Sequence, residues 1–548
     1  MTMRTLLLWL AAVALAGGLA ACESARSPID SDDDDDGSSD GDADADTDTD
    51  TDTDADADGD CTPGELFCQD GDVYECTGPD NQSELVEDCP SPLVCMNGMC
   101  VTPDACGEAE ANQSNIGCEY WAVDMDNSTP DQPYAIVVSN LDAATVHVVV
   151  ERLQSGSWTT LGEADVASKQ THVFQLGNTT VQGSYHLPGQ AFRVTSDLPV
   201  VAYQFNPYAG LEANNSDICT NDGSLLLATS GLDNFYYVLG YPNNAGSGSA
   251  DIVATEDDTT VTIIPSTTIS GGNNLTAMNA GQSYTLTMQA ADVVQLNAST
   301  GDISGTYVES DKKVAVFGGN TCAFVPGGVS YCDHLDHQMF PITTWGKEFV
   351  AARSVIRSTS QEPENDYWRV VASEDGTTIQ TDPSVPGLDG VTLDEGDVLE
   401  VGVNHSFTIT AGAPILVGQY LTGHEATDVP FEGAGGDPAF ALLAPYEQFL
   451  DNYVFLAPEK YLNDYVVITH PAGLTVNLDG APVTGNPDCI TAAFSGSWEI
   501  TRCLIEDFTH TVDAAEPVGI SVWGYGGRVS YGYTGGLNLE TINPIIPE

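Results

Sequence analysis

The densest set of chemistry-bearing side chains is Asp333, His334, Asp336 and His337, two carboxylates and two imidazoles within five residues. Imidazole nitrogen and carboxylate oxygen are the donors that zinc and related ions take, and a metal held there could activate water for hydrolysis. Internal repetition of the chain argues otherwise. Asp336 lines up with Asp222 and Asp437 and is read as architectural, while His337 lines up with Gly223 and Pro438, so the fold does not require it. Other patterns fail sooner. His424-Glu425-Ala426-Thr427-Asp428 begins like a zinc-protease helix but lacks the second His. Gly524-Tyr525-Gly526-Gly527 is followed by Arg and Val, without the Lys and Ser/Thr of a phosphate loop, and no Gly-x-Ser-x-Gly elbow occurs. The acids Glu256-Asp257-Asp258 fall at a predicted turn, where solvation is the simpler reading. No catalytic, metal-binding or cofactor-binding residue is assigned, and the expectation is a protein that is not an enzyme.

Cysteine chemistry is more informative. Arg4 precedes a short apolar run, Leu6 to Leu15, too short to cross a bilayer and suited to a signal peptide. It ends in Leu19-Ala20-Ala21-Cys22, which resembles the bacterial lipobox, where cleavage leaves a cysteine carrying acyl chains. The simpler alternative is secretory cleavage after Ala14-Leu15-Ala16. The lipobox reading makes Cys22 the lipidation site, with residues 1–21 removed. Two or three acyl chains anchor stably where one would not. Glu23 follows, with no Asp to suggest inner-membrane retention, so the expected location is the bacterial outer membrane, lipid-anchored and exposed at the cell surface. Of the 14 Cys, 13 remain after Cys22, and an oxidising compartment makes them disulfide candidates. Cys322 and Cys332 flank a hairpin containing Pro326-Gly327-Gly328, and a local disulfide is the plain reading. Cys489 and Cys503 are similarly close, as are Cys106 and Cys118. Cys219 is the odd one, either free or displacing one of these pairings.

The charge bounds the partners. The chain has 81 acidic against 14 basic residues, and without the 16 acids between Asp32 and Asp60 the formal charge of −67 would still be −51. Such a surface repels nucleic acid and anionic bilayers. The tract within residues 22–60 is too acidic and too poor in apolar side chains to fold, and it reads as a disordered tether reaching at most about 130 Å. It could also bind cations diffusely. Residues 61–106 hold Cys61, Cys68, Cys76, Cys89, Cys95 and Cys100 among turn formers, a disulfide-stapled module whose connectivity the spacing leaves open.

From about Tyr120 onward Val, Ile, Thr and Tyr alternate with polar residues, and Gly, Asn and Asp punctuate them. No segment holds a helical apolar period. Two signatures recur. One is an apolar strand entered through a short polar turn, at 195–205, 309–319, 410–420 and 513–523. The other is two strands joined by an acidic or Gly turn, at 134–148, 250–263, 367–381 and 464–478. They divide the chain into units of about 120–233, 234–345, 346–449 and 450–540. Connectors 222–235, 336–349 and 437–453 recur at matching places. A period slightly over one hundred residues predicts an all-β chain of tandem sandwich-like repeats; the alternative is a propeller with two blades per repeat.

The stretch 314–350, VAVFGGNTCAFVPGGVSYCDHLDHQMFPITTWGKEFV, resembles the signature of the IgG Fc-binding protein N-terminal region family. Cys322, Cys332, Asp333, His334, Leu335, Gln338, Trp345 and Gly346 match its pattern, and similar strands carry the resemblance over roughly 118–540. The resemblance implies an extracellular all-β interaction region. The reading is therefore a lipid-anchored, extracytoplasmic binding or adhesion protein with a protein or glycan partner. Its alternatives are an envelope or matrix component without a discrete ligand and a metal-dependent hydrolase centred on Asp333 and His334.

Overall fold

The computed structural model describes the strands between Leu66 and Val101 and residues 105–129, 132–208, 220–359, 362–430, 433–459 and 461–544. The expected signal peptide, Cys22, the Asp-rich tract expected to be a tether and Cys219 lie outside the described residues. The chain divides into two compact units, Met1–Ala111 and Asn112–Glu548. In the first, strands Leu66–Gln69, Asp72–Gly78 and Gln82–Glu87 form an antiparallel sheet. Val94–Met96 pairs with Met99–Val101, and a short helix, Ala105–Ala111, follows. Cys76 is buried and disulfide-bonded, as a segment this small requires for stability.

The second unit repeats one plan four times. Each repeat is one curled antiparallel sheet of seven or eight strands organised on a long spine strand: Phe192–Asn206, Tyr307–Ala323, Phe407–Tyr420 and Phe508–Tyr525. Each repeat is thus one sheet curled on itself rather than two four-stranded blades. The spine pairs differently along its two halves. In the second repeat, Tyr307 to Ser310 pairs with Thr259–Ile264, while Val314 to Asn320 pairs with Gly248–Ala254. The two strands of the turn signature therefore do not form a hairpin. They arch from one half of the spine to the other, and the sheet closes over a core.

Side-chain pattern accounts for the halves. Phe192–Asn206 has alternating burial over its first residues and continuous burial from Val200 on. The first half faces solvent on one side; the second is covered on both, as an uninterrupted apolar run demands. The polar residues read as a turn before each apolar strand instead lie inside the spine, where it bends. Register slips between Thr195 and Val200, and Ser196 Oγ donates to Leu198 O at 2.8 Å. An outward bend keeps these polar groups wet without ending the strand, so spacing alone reads it as a turn.

A buried tyrosine pins the bend. Tyr236, on the opening strand Asp233–Tyr237, donates to Val314 O at 2.9 Å and accepts from Asp233 N at 2.9 Å. Tyr120 and Tyr453 make the same pair of bonds, to Val200 O and Gly117 N and to Val518 O and Leu450 N. Three of the four arch turns use one left-handed residue, Asp258 (φ 55°), Gly376 (φ 73°) and Gly473 (φ 80°); the first does without. The side chains of Asp257 and Asp258 also take up Ala290 N and Gln289 Nε2, both at 2.9 Å.

After each spine a short strand returns along its buried half: Asp222–Leu225, Asp333–Gln338, Phe440–Leu442 and Ser530–Thr534. These axial strands pack on one another in a closed cycle, the first and third each against the second and fourth. After the first three, a 3-10 turn leads into the next repeat, at Thr229–Gly231, Ile342–Thr344 and Tyr446–Gln448. The connectors that recur in the sequence are these axial strands and turns.

Candidate functional site

The residues singled out from the sequence converge on the axis. Asp222 is its centre. One carboxylate oxygen accepts from Phe440 N at 2.9 Å and Asp336 N at 3.3 Å; the other accepts from Gly223 N at 2.9 Å and Gly532 N at 3.2 Å. One side chain thus ties all four axial strands together. It is fully buried, and burial pushes its carboxyl well above the usual range, with Asp336 adding to the rise and the N–H groups opposing it.

The other aspartates of the alignment also serve the seams. Asp336 accepts from Gln204 Nε2 at 2.7 Å, and burial raises its carboxyl to about 7. Gln204 in turn accepts from Val123 N and from Tyr134 Oη, joining the first repeat to the second. Asp437 accepts from His424 N at 3.1 Å, and its own N–H donates to Ser530 Oγ at 3.1 Å, joining the third repeat to the fourth. Such non-local bonds are what fix the mutual position of units whose apolar faces alone would slide.

Every residue of the family motif is buried except Cys332, which is partly exposed. Asp333 accepts from Asn221 N and His334 N, and burial raises its carboxyl well above normal. Leu335 is core. Gln338 Oε1 accepts from Leu227 N at 2.8 Å, a second tie to the first repeat. Trp345 Nε1 donates to Phe340 O at 3.0 Å, and its ring lies 6.1 Å from that of Tyr237. A Cβ on Gly346 would fall 2.4 Å from Pro445 Cβ, so only glycine fits there. Cys322 and Cys332 are joined, closing the loop beside Asp333, and Cys489 and Cys503 are joined across a hairpin. Cys106 and Cys118 are each disulfide-bonded.

His334 and His337 do not form a reactive pair. Both are fully buried, and burial lowers them to about 3 and about 4. His337 Nδ1 bonds Gln338 O at 2.8 Å, and its ring packs 5.5 Å from Phe440. Among the described residues no group of three or more His, Cys, Asp or Glu is placed to hold a metal ion. A substrate could reach these imidazoles only by opening the axis. The hydrolase reading therefore finds no accessible centre at Asp333 and His334.

Sequence reasoning missed several interior carboxylates. Asp251, Asp124 and Asp126 are buried between the first two repeats, with Asp124 raised to about 6 by burial. Asp124 accepts from Thr179 N, Thr179 Oγ and Thr180 Oγ, and Asp126 from Gly183 N and Asn297 Nδ2. Asp366 accepts from Gln419 Nε2, and Asp464 from Tyr531 Oη, both at 2.7 Å. The available signal was an acid leading directly into an apolar run, as in Asn365-Asp366-Tyr367 and Asn463-Asp464-Tyr465.

Buried hydrogen bonds across four repeated sheets define a structural scaffold closed at its centre. A sequence profile of the family described as IgGFc binding protein matches residues 222–524, and the chain belongs to that family. The chain is similar to a protein named IgGFc-binding protein from Homo sapiens, at 24% identity over 348 residues, which is 62% of this chain and 6% of that protein. The chain therefore corresponds to a small part of that relative's length. Among solved structures, the tetra-tandem repeat in the extending region of a large adhesion protein aligns at 12% identity. That alignment covers 77% of this chain and 99% of the other at a TM-score of 0.09, too low to carry an argument.

Proposed function

We propose that this is a lipid-anchored, extracytoplasmic binding or adhesion protein of the bacterial outer membrane, displayed at the cell surface and engaging a protein or glycan partner. The burial of the family motif is the observation that carries this reading. If Asp333, His334, Gln338 and Trp345 hold the axis, then membership in the family specifies a scaffold, and edges and turns at the periphery are left to contact partners. The lipobox at Cys22 and the acidic tract support attachment by a spacer, and that tract would also gather cations diffusely. The human relative's name points to immunoglobulin Fc as one partner to try. The alternative of an envelope or matrix component without a discrete ligand differs in having no saturable partner.

Two measurements test the reading. Intact cells treated with a non-permeant protease should lose the protein from Asn112 onward, and Cys22→Ser should release it from the membrane fraction. Immobilised full chain should bind at least one of immunoglobulin Fc, mucin glycoprotein or bacterial polysaccharide saturably. Complete protection on intact cells would overturn surface display, and absence of saturable binding to all three would favour the matrix alternative.

A further inference from the structure

The fourth repeat ends, at one side, in a bare edge. Among the described residues strand Cys489–Phe494 pairs only with Trp498–Ile505 and is the last strand of its sheet. Exposed sheet edges normally carry lysine, proline or a bulge that discourages pairing. This one, Cys-Ile-Thr-Ala-Ala-Phe, has none of them, and Ile490 is 73% exposed. The disulfide between Cys489 and Cys503, directly opposite one another, holds the hairpin at its base.

Beside this edge lies a groove of about 300 Å³ between the third and fourth repeats. Ala492, Phe494 and Ile500 make its apolar floor, and Pro383, Ser406 and Arg502 complete it, with His405 and Asp382 at the rim. Arg502 stands opposite Ile490 in the hairpin. Its Nε and one η nitrogen donate to Arg353 O, at 3.2 and 2.8 Å, and that η nitrogen also reaches Ser406 Oγ at 3.4 Å. Among the described residues the second η nitrogen meets no acceptor and no carboxylate forms an ion pair with this guanidinium, Asp366 acting on it only at longer range. The contrast with its neighbours is clear: Arg353 and Arg357 both reach Glu364, and Arg369 holds Asp302 and Glu400. In a chain with 81 acids, a guanidinium left unpaired beside an apolar groove is a vacancy for an external carboxylate. Arg353 lies close enough to add its repulsion to the desolvation that lowers Arg502 to about 10.

We propose that the edge Cys489–Phe494 and its groove form a strand-addition site for an extended protein segment with apolar side chains and one carboxylate, which pairs with Arg502. Main-chain bonds to the edge would supply affinity, and the groove and guanidinium would supply selectivity. The chain as a whole is strongly acidic, which favours basic flanks on the segment and a carboxylate only where Arg502 stands. The same net charge makes a second copy of this chain a poor occupant. This site deepens the binding function proposed above and rests on it.

The test uses the full chain in detergent and the peptide acetyl-Lys-Val-Thr-Asp-Thr-Val-Lys-amide, whose two Val and one Asp share a face when extended, with calorimetry or fluorescence anisotropy. Saturable binding is expected. Exchanging the peptide Asp for Asn should weaken it at least tenfold, and Arg502→Gln should remove that preference. Ile490→Lys, at a solvent-exposed position outside the core, should abolish binding of both peptides while leaving the thermal midpoint unchanged. It serves as the control should Arg502→Gln fail to fold. The proposal is overturned if the peptide does not bind at millimolar concentration, if Asp and Asn peptides bind alike, or if Ile490→Lys binds as before. Binding of a uronate oligosaccharide in place of the peptide, or dimerisation that Ile490→Lys abolishes, would also overturn it. Because surface exposure and saturable partner binding are measured separately, loss of this site leaves the broader function standing.

Discussion

Asp222→Ala is the most direct probe of the axis. The substitution strips the acceptor from three N–H groups that belong to other axial strands, those of Asp336, Phe440 and Gly532. A buried donor left without a partner costs about 1–3 kcal/mol. The bond to Phe440 N is short at 2.9 Å, and the other two are long at 3.3 and 3.2 Å. Taking about 2 kcal/mol for the first and about 1 for each of the others gives a loss near 4 kcal/mol. That is a large share of the ~5–15 kcal/mol that stabilises a typical domain. Asp222→Asn keeps one acceptor oxygen and turns an amide donor toward two N–H groups, so a loss of about 2–3 kcal/mol is expected. The assay is urea unfolding followed by tryptophan fluorescence, which reports on the buried Trp121, Trp345, Trp368 and Trp523. The midpoint should fall, and the slope should stay constant if the repeats still unfold together. A loss below about 1 kcal/mol for Asp222→Ala would refute the axial role, because three orphaned donors cannot be that cheap in a dry interior.

Further outcomes follow from the same geometry. Asp336 and Asp464 are both raised to about 7, so the folded chain holds protons that the unfolded chain releases above pH 4. Their stabilisation is complete below pH 4 and is lost as pH rises through 7; the lowered His334 and His337 act oppositely below pH 6.5. The aspartates outnumber the histidines, since Asp124, Asp222, Asp251 and Asp333 are raised too, so the thermal midpoint should be higher at pH 5 than at pH 8; a flat or inverted profile would contradict this. Asp336→Asn should flatten that profile by about 1.4 kcal/mol per pH unit between pH 4 and 7. Tyr236→Phe leaves Val314 O and Asp233 N without the hydroxyl and should cost about 2 kcal/mol in urea, whereas Tyr446→Phe, on a 40% exposed ring, should cost almost nothing. Replacing both Cys489 and Cys503 by Ser opens a loop of about 15 residues and should lower stability by about 3 kcal/mol, measured against the oxidised wild-type chain.

Much of the architecture is written locally. Alternating Val, Ile and Thr specify strands because side chains on a pleated backbone face opposite ways at each step. Asp258, Gly376 and Gly473 mark the arch turns because few other residues take a left-handed backbone at low cost. These signals recur at a fixed period, so four equivalent β units and the family they belong to could be read from residues 195–205, 314–350 and their counterparts. The recurrence of Asp222, Asp336 and Asp437 in the connectors already marked them as architectural.

What the residues could not disclose is where each strand goes after it leaves its neighbours. Ser196 and Leu198 look like a turn, yet they sit in an unbroken strand, because the spine only bends there and its second half enters a layer covered on both faces. Asp333, His334 and His337 look like metal ligands or a reactive cluster; burial among four packed strands makes them interior struts instead. The bond from Gly532 N to Asp222 spans 310 positions of sequence, and the strands that meet at Asp222 come from all four repeats. Local chemistry determined the strands and the number of repeats. Only the closure of the repeats on one another decided that a line of acids would become the axis, because a buried carboxylate is held by donors that no nearby stretch of chain supplies.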